Sequence, residues 1–248
     1  MGNKVINTTS VKLGIYEEST DEQLEGMLGD VKEMEDGRKF RLCSNGTGAA
    51  LAAGLRVQSV AVDGYDDKLV VNTLAAAGQK DIIVDVTTSH GGHDAHALRD
   101  GYLVVNQGAG EIGGFYKIKD NTVMVADSTA TISLYDDLTE ALPVTDDEVT
   151  ICKNPYKAVL LDVLSAPIAG VPLINVTIST STTTYYFWAL FEGFGPAIAS
   201  AATIAAGDEL ERLTGGTVRT LTDGETVQFI GVSYSVAAES DAIICKYA

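Results

Sequence analysis

Short runs of β-branched and apolar residues return along almost the whole chain, and each is cut off by a turn signal. Examples are Leu69-Val70-Val71, Ile82-Ile83-Val84-Asp85-Val86, Tyr102-Leu103-Val104-Val105, Val123-Met124-Val125, Val159-Leu160-Leu161, Val176-Thr177-Ile178, Val218-Arg219-Thr220-Leu221 and Ile243-Ile244-Cys245. Such side chains fit the pleated, half-buried surface of a sheet. The interruptions are Asp36-Gly37, Asn45-Gly46, Asp63-Gly64, Asp100-Gly101, Gly215-Gly216 and Asp223-Gly224. Asp-Gly and Asn-Gly tolerate the positive φ that hairpin turns require. Many short strands closed by turns predict a sandwich or barrel and argue against an alternating βαβ chain. The expected class is all-β: β-sandwich or barrel-like domains with an extended N-terminal arm and few short helices.

Residues 21–35 are the best helix candidate. Ser19, Thr20 or Asp21 could cap it, and Leu24, Leu28 and Val31 fall near helical spacing. Gly26 and Gly29 oppose it, by about 1 kcal/mol each where exposed. Residues 195–206 read equally as an Ala-rich helix or as a loop. Residues 1–15 are polar and Thr-rich, an arm that must find a neighbour to be ordered. The expected organisation is therefore an arm with a short helix at 1–35, a β domain at 36–165 and a second β-rich region at 173–248. The Pro- and Gly-bearing stretch Ser165–Pro172 separates the last two, or serves as a long connection inside one unit.

Acidity narrows the partners. The chain carries 34 Asp and Glu against 17 Lys and Arg, a formal net charge of −17. Phosphate backbones and anionic lipid surfaces need a basic face, so neither nucleic acid nor membrane is an expected partner. No apolar run reaches the roughly 18 residues a membrane helix needs. The first residues hold no apolar core of signal-peptide length, and Gly2 lacks the Ser or Thr at position 6 that myristoylation wants, finding Ile6. The three cysteines, Cys43, Cys152 and Cys245, are far apart in strand-like contexts and lack any CxxC pairing. They read as small buried hydrophobes in a protein made in a reducing cytoplasm.

Few constellations suggest chemistry. All three histidines fall within His90-Gly91-Gly92-His93-Asp94-Ala95-His96. Imidazole is the commonest metal ligand, so His90, His93 and His96 are the candidate metal ligands, with Asp94 assisting. The spacing lacks the H-E-x-x-H of zinc proteases, and a polar surface or interface loop is the preferred reading, with no metal or cofactor expected. Gly108-Ala109-Gly110-Glu111-Ile112-Gly113-Gly114 resembles a dinucleotide loop only superficially. Phe115-Tyr116-Lys117-Ile118, which follows, reads as a strand and offers no helix N-terminus to a pyrophosphate. It reads instead as a glycine-rich hairpin. The acidic pairs Asp66-Asp67, Asp136-Asp137 and Asp146-Asp147-Glu148 lack EF-hand spacing and read as solvated turns. No G-x-S-x-G occurs. Tyr185-Tyr186-Phe187-Trp188, with Phe191 and Phe194, holds the only tryptophan. Alternation puts bulky residues on both faces of this strand, which favours a core or subunit-interface strand over a sugar platform.

Several segments carry a family resemblance. Asp94-Ala95-His96-Ala97-Leu98-Arg99-Asp100-Gly101-Tyr102-Leu103-Val104-Val105-Asn106, then Gly110-Glu111, Phe115-Tyr116-Lys117-Ile118 and Asn121, resembles a hairpin module of tailed-phage virion proteins. Asn154-Pro155-Tyr156-Lys157, Tyr186-Phe187-Trp188, Gly193 and Gly195-Pro196-Ala197 continue the same order. Ala206-Gly207-Asp208 and Gly231-Val232-Ser233 are similar to the pattern of capsid decoration, or cement, proteins. The likeness covers about residues 36–248. It departs at Ala189-Leu190-Phe191, where relatives carry a Trp-x-Gln-like segment, and the histidine loop has no counterpart.

The resemblance implies a structural protein without enzymatic activity or cofactor, bound to the outer surface of a phage capsid and bridging capsomers. It implies the major capsid protein as partner, self-association as a homotrimer, and a place on the virion exterior after synthesis in the host cytoplasm. The expected interface residues are Val5, Ile6, Val11 and Leu13 of the arm, which would add a strand to a neighbour's sheet edge, and Tyr185, Phe187, Trp188 and Phe191. The alternative is a carbohydrate- or receptor-binding virion module using the Tyr185–Trp188 strand.

Overall fold

The computed structural model describes residues 13–20, 27–60, 67–90, 92–107, 112–144, 147–200, 204–221, 229–236 and 238–247. The first strands are β1 (Val31–Glu33), β2 (Lys39–Ser44) and β3 (Val57–Gln58). Then come β4 (Leu69–Val70), β5 (Asp81–Val86), β6 (Tyr102–Gln107), β7 (Phe115–Asn121), β8 (Ser128–Leu134) and β9 (Glu148–Cys152). The last group is β10 (Leu160–Leu161), β11 (Ile168–Pro172), β12 (Tyr186–Ile198), β13 (Glu209–Arg212), β14 (Val218–Thr220), β15 (Phe229–Ser233) and β16 (Ala242–Tyr247). Among the described residues the only helical element is a 3-10 turn, Thr214–Gly216. The all-β, barrel-like class expected from the strand runs is the class found.

The chain divides into two compact units. One is Val62–Pro155; the other combines Met1–Ala61 with Tyr156–Ala248. The first is thus inserted into the sequence of the second, the split unit. This differs from the expected division at 36–165 and 173–248. β2 is the reason: it pairs antiparallel along β12, from Tyr186↔Ser44 to Glu192↔Lys39. That register draws residues 39–44 to the C-terminal segment. The Pro- and Gly-bearing stretch is no linker either, because Ile168–Pro172 forms β11, paired with β3 and β12.

The inserted unit is an antiparallel sheet in the order β4-β9-β6-β7-β8-β5. Val71, directly after β4, bridges Val84 of β5, and the Asn72 N–H donates to the Ile83 carbonyl at 2.8 Å. The sheet therefore curls until its two ends nearly meet. Closure explains the period-2 pattern: Ile82, Val84 and Val86 of β5 and Ala130, Ile132 and Leu134 of β8 point inward, with Leu103, Val105, Ile118, Val149 and Ile151. Each fully buried Val, Leu or Ile contributes about 1.5–3 kcal/mol. The glycine-rich segment joins β6 to β7 as the expected hairpin. Val105 and the glycines exchange backbone bonds, Gly113 N–H to Val105 O at 2.8 Å and Val105 N–H to Gly114 O at 2.9 Å. Residues 108–111 lie outside the described part.

The split unit is organised by β12. Its first half carries β2 on one side and β11 on the other; its second half pairs with β16. Side chains alternate between two cores. Phe187 and Ala189 join Cys43, Leu51 and Val57, while Trp188 and Leu190 join Phe40, Leu42 and Val171. The strand turns sharply between these halves. Gly193 sits at φ +100, and a Cβ on Gly195 would lie 2.1 Å from Leu190 Cδ2. A 13-residue strand can serve two partners in succession because glycine lets it bend there.

The expected helix at 21–35 is not formed over its described part. Residues 27–30 make a turn and Val31–Glu33 a strand; residues 21–26 lie outside the described residues. Gly29 takes φ +94 and the Tyr156 ring packs where its Cβ would be. A helical glycine there would forfeit that contact, and the Val31-Lys32-Glu33 alternation pairs with β2 instead. Two predicted strands shrink to single bridges, Met124 with His93 and Val176 with Leu51.

Candidate functional site

The histidine loop lies against the connection between β7 and β8, and its three histidines make separate contacts. The His90 ring Nδ1 accepts the Thr87 N–H at 3.0 Å. His93 is 8% exposed and pairs through its backbone with Met124. His96, at φ +67, places Nδ1 2.7 Å from Asp120 Oδ1. Asn121 ties the loop down by accepting the Leu98 N–H at 2.8 Å and donating to the Asp94 carbonyl at 3.0 Å. No cluster of three metal-ligating side chains exists among the described residues. Partial burial works to raise the Asp120 pKa, but the His96 hydrogen bond, the Asn121 N–H and the Arg99 charge outweigh it and hold it below the usual carboxylate value.

The aromatic strand lies inside. Phe187 and Trp188 are 0% exposed, one in each core, so Trp188 offers no ring to a sugar. The Trp188 indole N–H donates to the Leu13 carbonyl at 2.9 Å, and Lys32 Nζ stands 4.3 Å from its ring centroid. Burial lowers the Lys32 pKa, opposed by Glu17. As interface candidates, Leu13, Phe187 and Trp188 are thus corrected to core residues. Tyr185 and Phe191 stay half-buried, with the Arg41 guanidinium 4.5 Å from the Phe191 ring. Val5, Ile6 and Val11 lie outside the described residues.

Apolar side chains stand outside elsewhere. On the split unit, Phe194 (44% exposed) follows the β12 bend; Ile244 (56%) lies opposite Pro196 on β16. Tyr234 (55%) stacks edge-on against Phe194 with centroids 4.9 Å apart, and Val236 (69%) follows it. Directly paired residues share a face, so Phe194, Pro196 and Ile244 line one side of the sheet. On the inserted unit, Phe115 is 66% exposed and stacks on Tyr102 at 5.2 Å. Sequence reasoning placed Phe194 in the aromatic cluster and Phe115 in the hairpin without assigning either a surface role. Strict alternation was the available signal: with Ile243 and Cys245 buried, Ile244 must face out.

The split unit also buries a charge cluster that sequence reasoning missed. Asp162 is fully buried between two arginines. Its Oδ2 accepts Arg56 Nε at 3.4 Å and Arg212 Nε at 3.2 Å, and its Oδ1 accepts Arg212 Nη2 at 2.5 Å. Arg56 Nη2 donates to the Thr217 and Leu213 carbonyls. Burial lowers the Arg56 pKa, with Asp162 pulling the other way. Two cysteines, Cys43 and Cys245, are also buried in this unit. Burial raises the Cys43 thiol against the Arg41 charge and pushes Cys245 up to about 12 against the Arg56 charge. Compared with protein-family models, curated proteins and solved structures, the chain matches none.

Proposed function

We propose that this chain is a structural virion protein that binds the outer surface of a phage capsid and bridges capsomers, acting by contact area and transforming no substrate. The observation that carries the reading is the exposed face Phe194–Tyr234–Ile244 on a paired sheet. A folded chain gains nothing from leaving two aromatic side chains and an isoleucine together in water unless another surface covers them. The motif order from Asp94 to Ser233 supports the same reading, and so does the acidity, which keeps such a protein soluble before it docks and away from packaged nucleic acid. A protein that binds only the mature shell stabilises it by linkage. The partner is the major capsid protein; the chain itself assembles as a homotrimer on the virion exterior.

The test is binding of purified protein to expanded heads that lack it, read by co-sedimentation and by the temperature at which heads release their genome. Saturable binding with a raised release temperature is expected, and Phe194→Ser with Ile244→Ser should weaken binding at least tenfold while leaving the Trp188 emission maximum unchanged. Absence of binding by the unaltered chain, or full binding by the double variant, overturns the proposal.

A further inference from the structure

We propose that a cavity within the split unit is a binding site for a small organic anion, a carboxylate on an apolar body, seated on Arg56 and Arg41. The cavity has a volume of about 340 Å³ and its wall includes Arg41, Arg56, Tyr156, Leu190, Phe191 and Tyr247. That volume lies at the lower end of small-ligand pockets.

The donor inventory of Arg56 points to the charge of the ligand. A guanidinium has five N–H donors. Nε goes to Asp162 and Nη2 to two carbonyls, while Nη1 is buried with no acceptor. Asp162, Leu213 and Thr217, which take the other donors, do not line the cavity; Arg56 does. Of the Arg56 donors, only Nη1 is left without a partner, in a residue that forms part of the cavity wall. A buried ionised donor without an acceptor is a standing cost that an oxyanion removes.

Charge balance agrees. Asp162 is one carboxylate shared by two guanidiniums, Arg56 and Arg212, so the trio carries a net positive charge. Arg41 adds a second cation to the cavity wall, with the Phe191 and Tyr156 rings 4.5 Å and 5.1 Å from its guanidinium. These rings and Leu190 give the body of the ligand apolar walls. The combination favours an organic carboxylate over inorganic phosphate, whose second charge the walls would leave unsolvated. The Arg56 side chain is 0% exposed, so an anion reaches Nη1 only when the cavity wall shifts to uncover it. The site is independent of the docking face, and either proposal can fail alone.

The probe is benzoate, with benzamide as its neutral isostere, titrated calorimetrically into the full chain at constant ionic strength. Saturable one-site binding of benzoate is expected, with benzamide at least tenfold weaker. Arg41→Gln should weaken benzoate at least threefold, and Arg56→Lys, which keeps the charge but loses the fork, at least tenfold. Should Arg56→Lys unfold, the benzamide comparison and Arg41→Gln decide. Absence of saturable benzoate binding, equal affinity for benzamide, or unchanged affinity in folded Arg41→Gln overturns the proposal.

Discussion

Replacing Asp162 by Asn tests whether the buried charge cluster holds the split unit together. Asp162 accepts four donors: Arg56 Nε, Arg212 Nε and Nη2, and the Leu164 N–H. The amide keeps one accepting oxygen and turns an NH2 donor toward guanidinium donors. Two buried cations then lose their only shared anion. Removing one partner of a buried ion pair costs about 3–5 kcal/mol, because the remaining charge is stranded. The stability of a whole domain is about 5–15 kcal/mol, so the loss is a large share of it. For a unit of about 150 residues this corresponds to a fall in Tm of roughly 6–20 °C. Trp188 is the only tryptophan and sits in this unit, so its emission during urea unfolding reads the split unit and not the inserted one. A shift below about 1 kcal/mol would refute the argument, since it would mean that Arg56 and Arg212 find other acceptors at no cost.

Cys43 and Cys245 both keep their protons in the fold at pH values where the unfolded chain has released them. Their contribution is complete below the ordinary thiol pKa of about 8.5 and is lost above it, at roughly 1.4 kcal/mol per pH unit for each thiol; urea midpoints by Trp188 emission should fall from pH 8 to pH 10, and a flat profile contradicts the burial account. Gly195→Ala places a Cβ against Leu190 Cδ2 and should destabilise the split unit by about 1–3 kcal/mol; an unchanged midpoint would show that the β12 bend does not depend on that contact. Each unit has a core of its own, so residues 62–155 expressed alone should unfold cooperatively in urea, and a broad, non-cooperative transition would argue that the two depend on each other.

The sequence announced the fold class through two signals that act over short distances. Alternation in Ile82-Ile83-Val84-Asp85-Val86 follows from a strand with one face on a closed core, and it survives unchanged in β5. The glycine-rich hairpin was legible because the strands it joins are neighbours in sequence. The division into units was not legible, because the evidence for it is the pairing of β2 with β12, about 150 residues away. Local composition drew attention to Pro167 and Pro172, yet proline is tolerated at the edges and ends of strands. Over its described part, residues 27–35, the predicted helix is replaced for a related reason. Leu24, Leu28 and Val31 satisfy helical spacing, but propensity is a weak prior that a tertiary partner overrides, and β2 supplies that partner to Val31–Glu33.

The surface and the charges on which the two proposals rest sit where polarity and register disagree. In β16, Ile243, Cys245 and Tyr247 are buried, so Ala242, Ile244 and Lys246 face outward. Lys246 obeys that assignment and Ile244 breaks it. Arg212 breaks it in the other direction, a guanidinium on a buried position of β13. Neither departure lowers the energy of the isolated strand: an exposed isoleucine forfeits its burial, and a buried arginine must be desolvated. Each is tolerable only when something beyond the strand supplies the compensation. For Arg212 that is Asp162, 50 positions away, which is why no local pattern marks it. For Ile244, whose neighbours Phe194 and Tyr234 are exposed beside it, the proposed function assigns the compensation to a second protein surface.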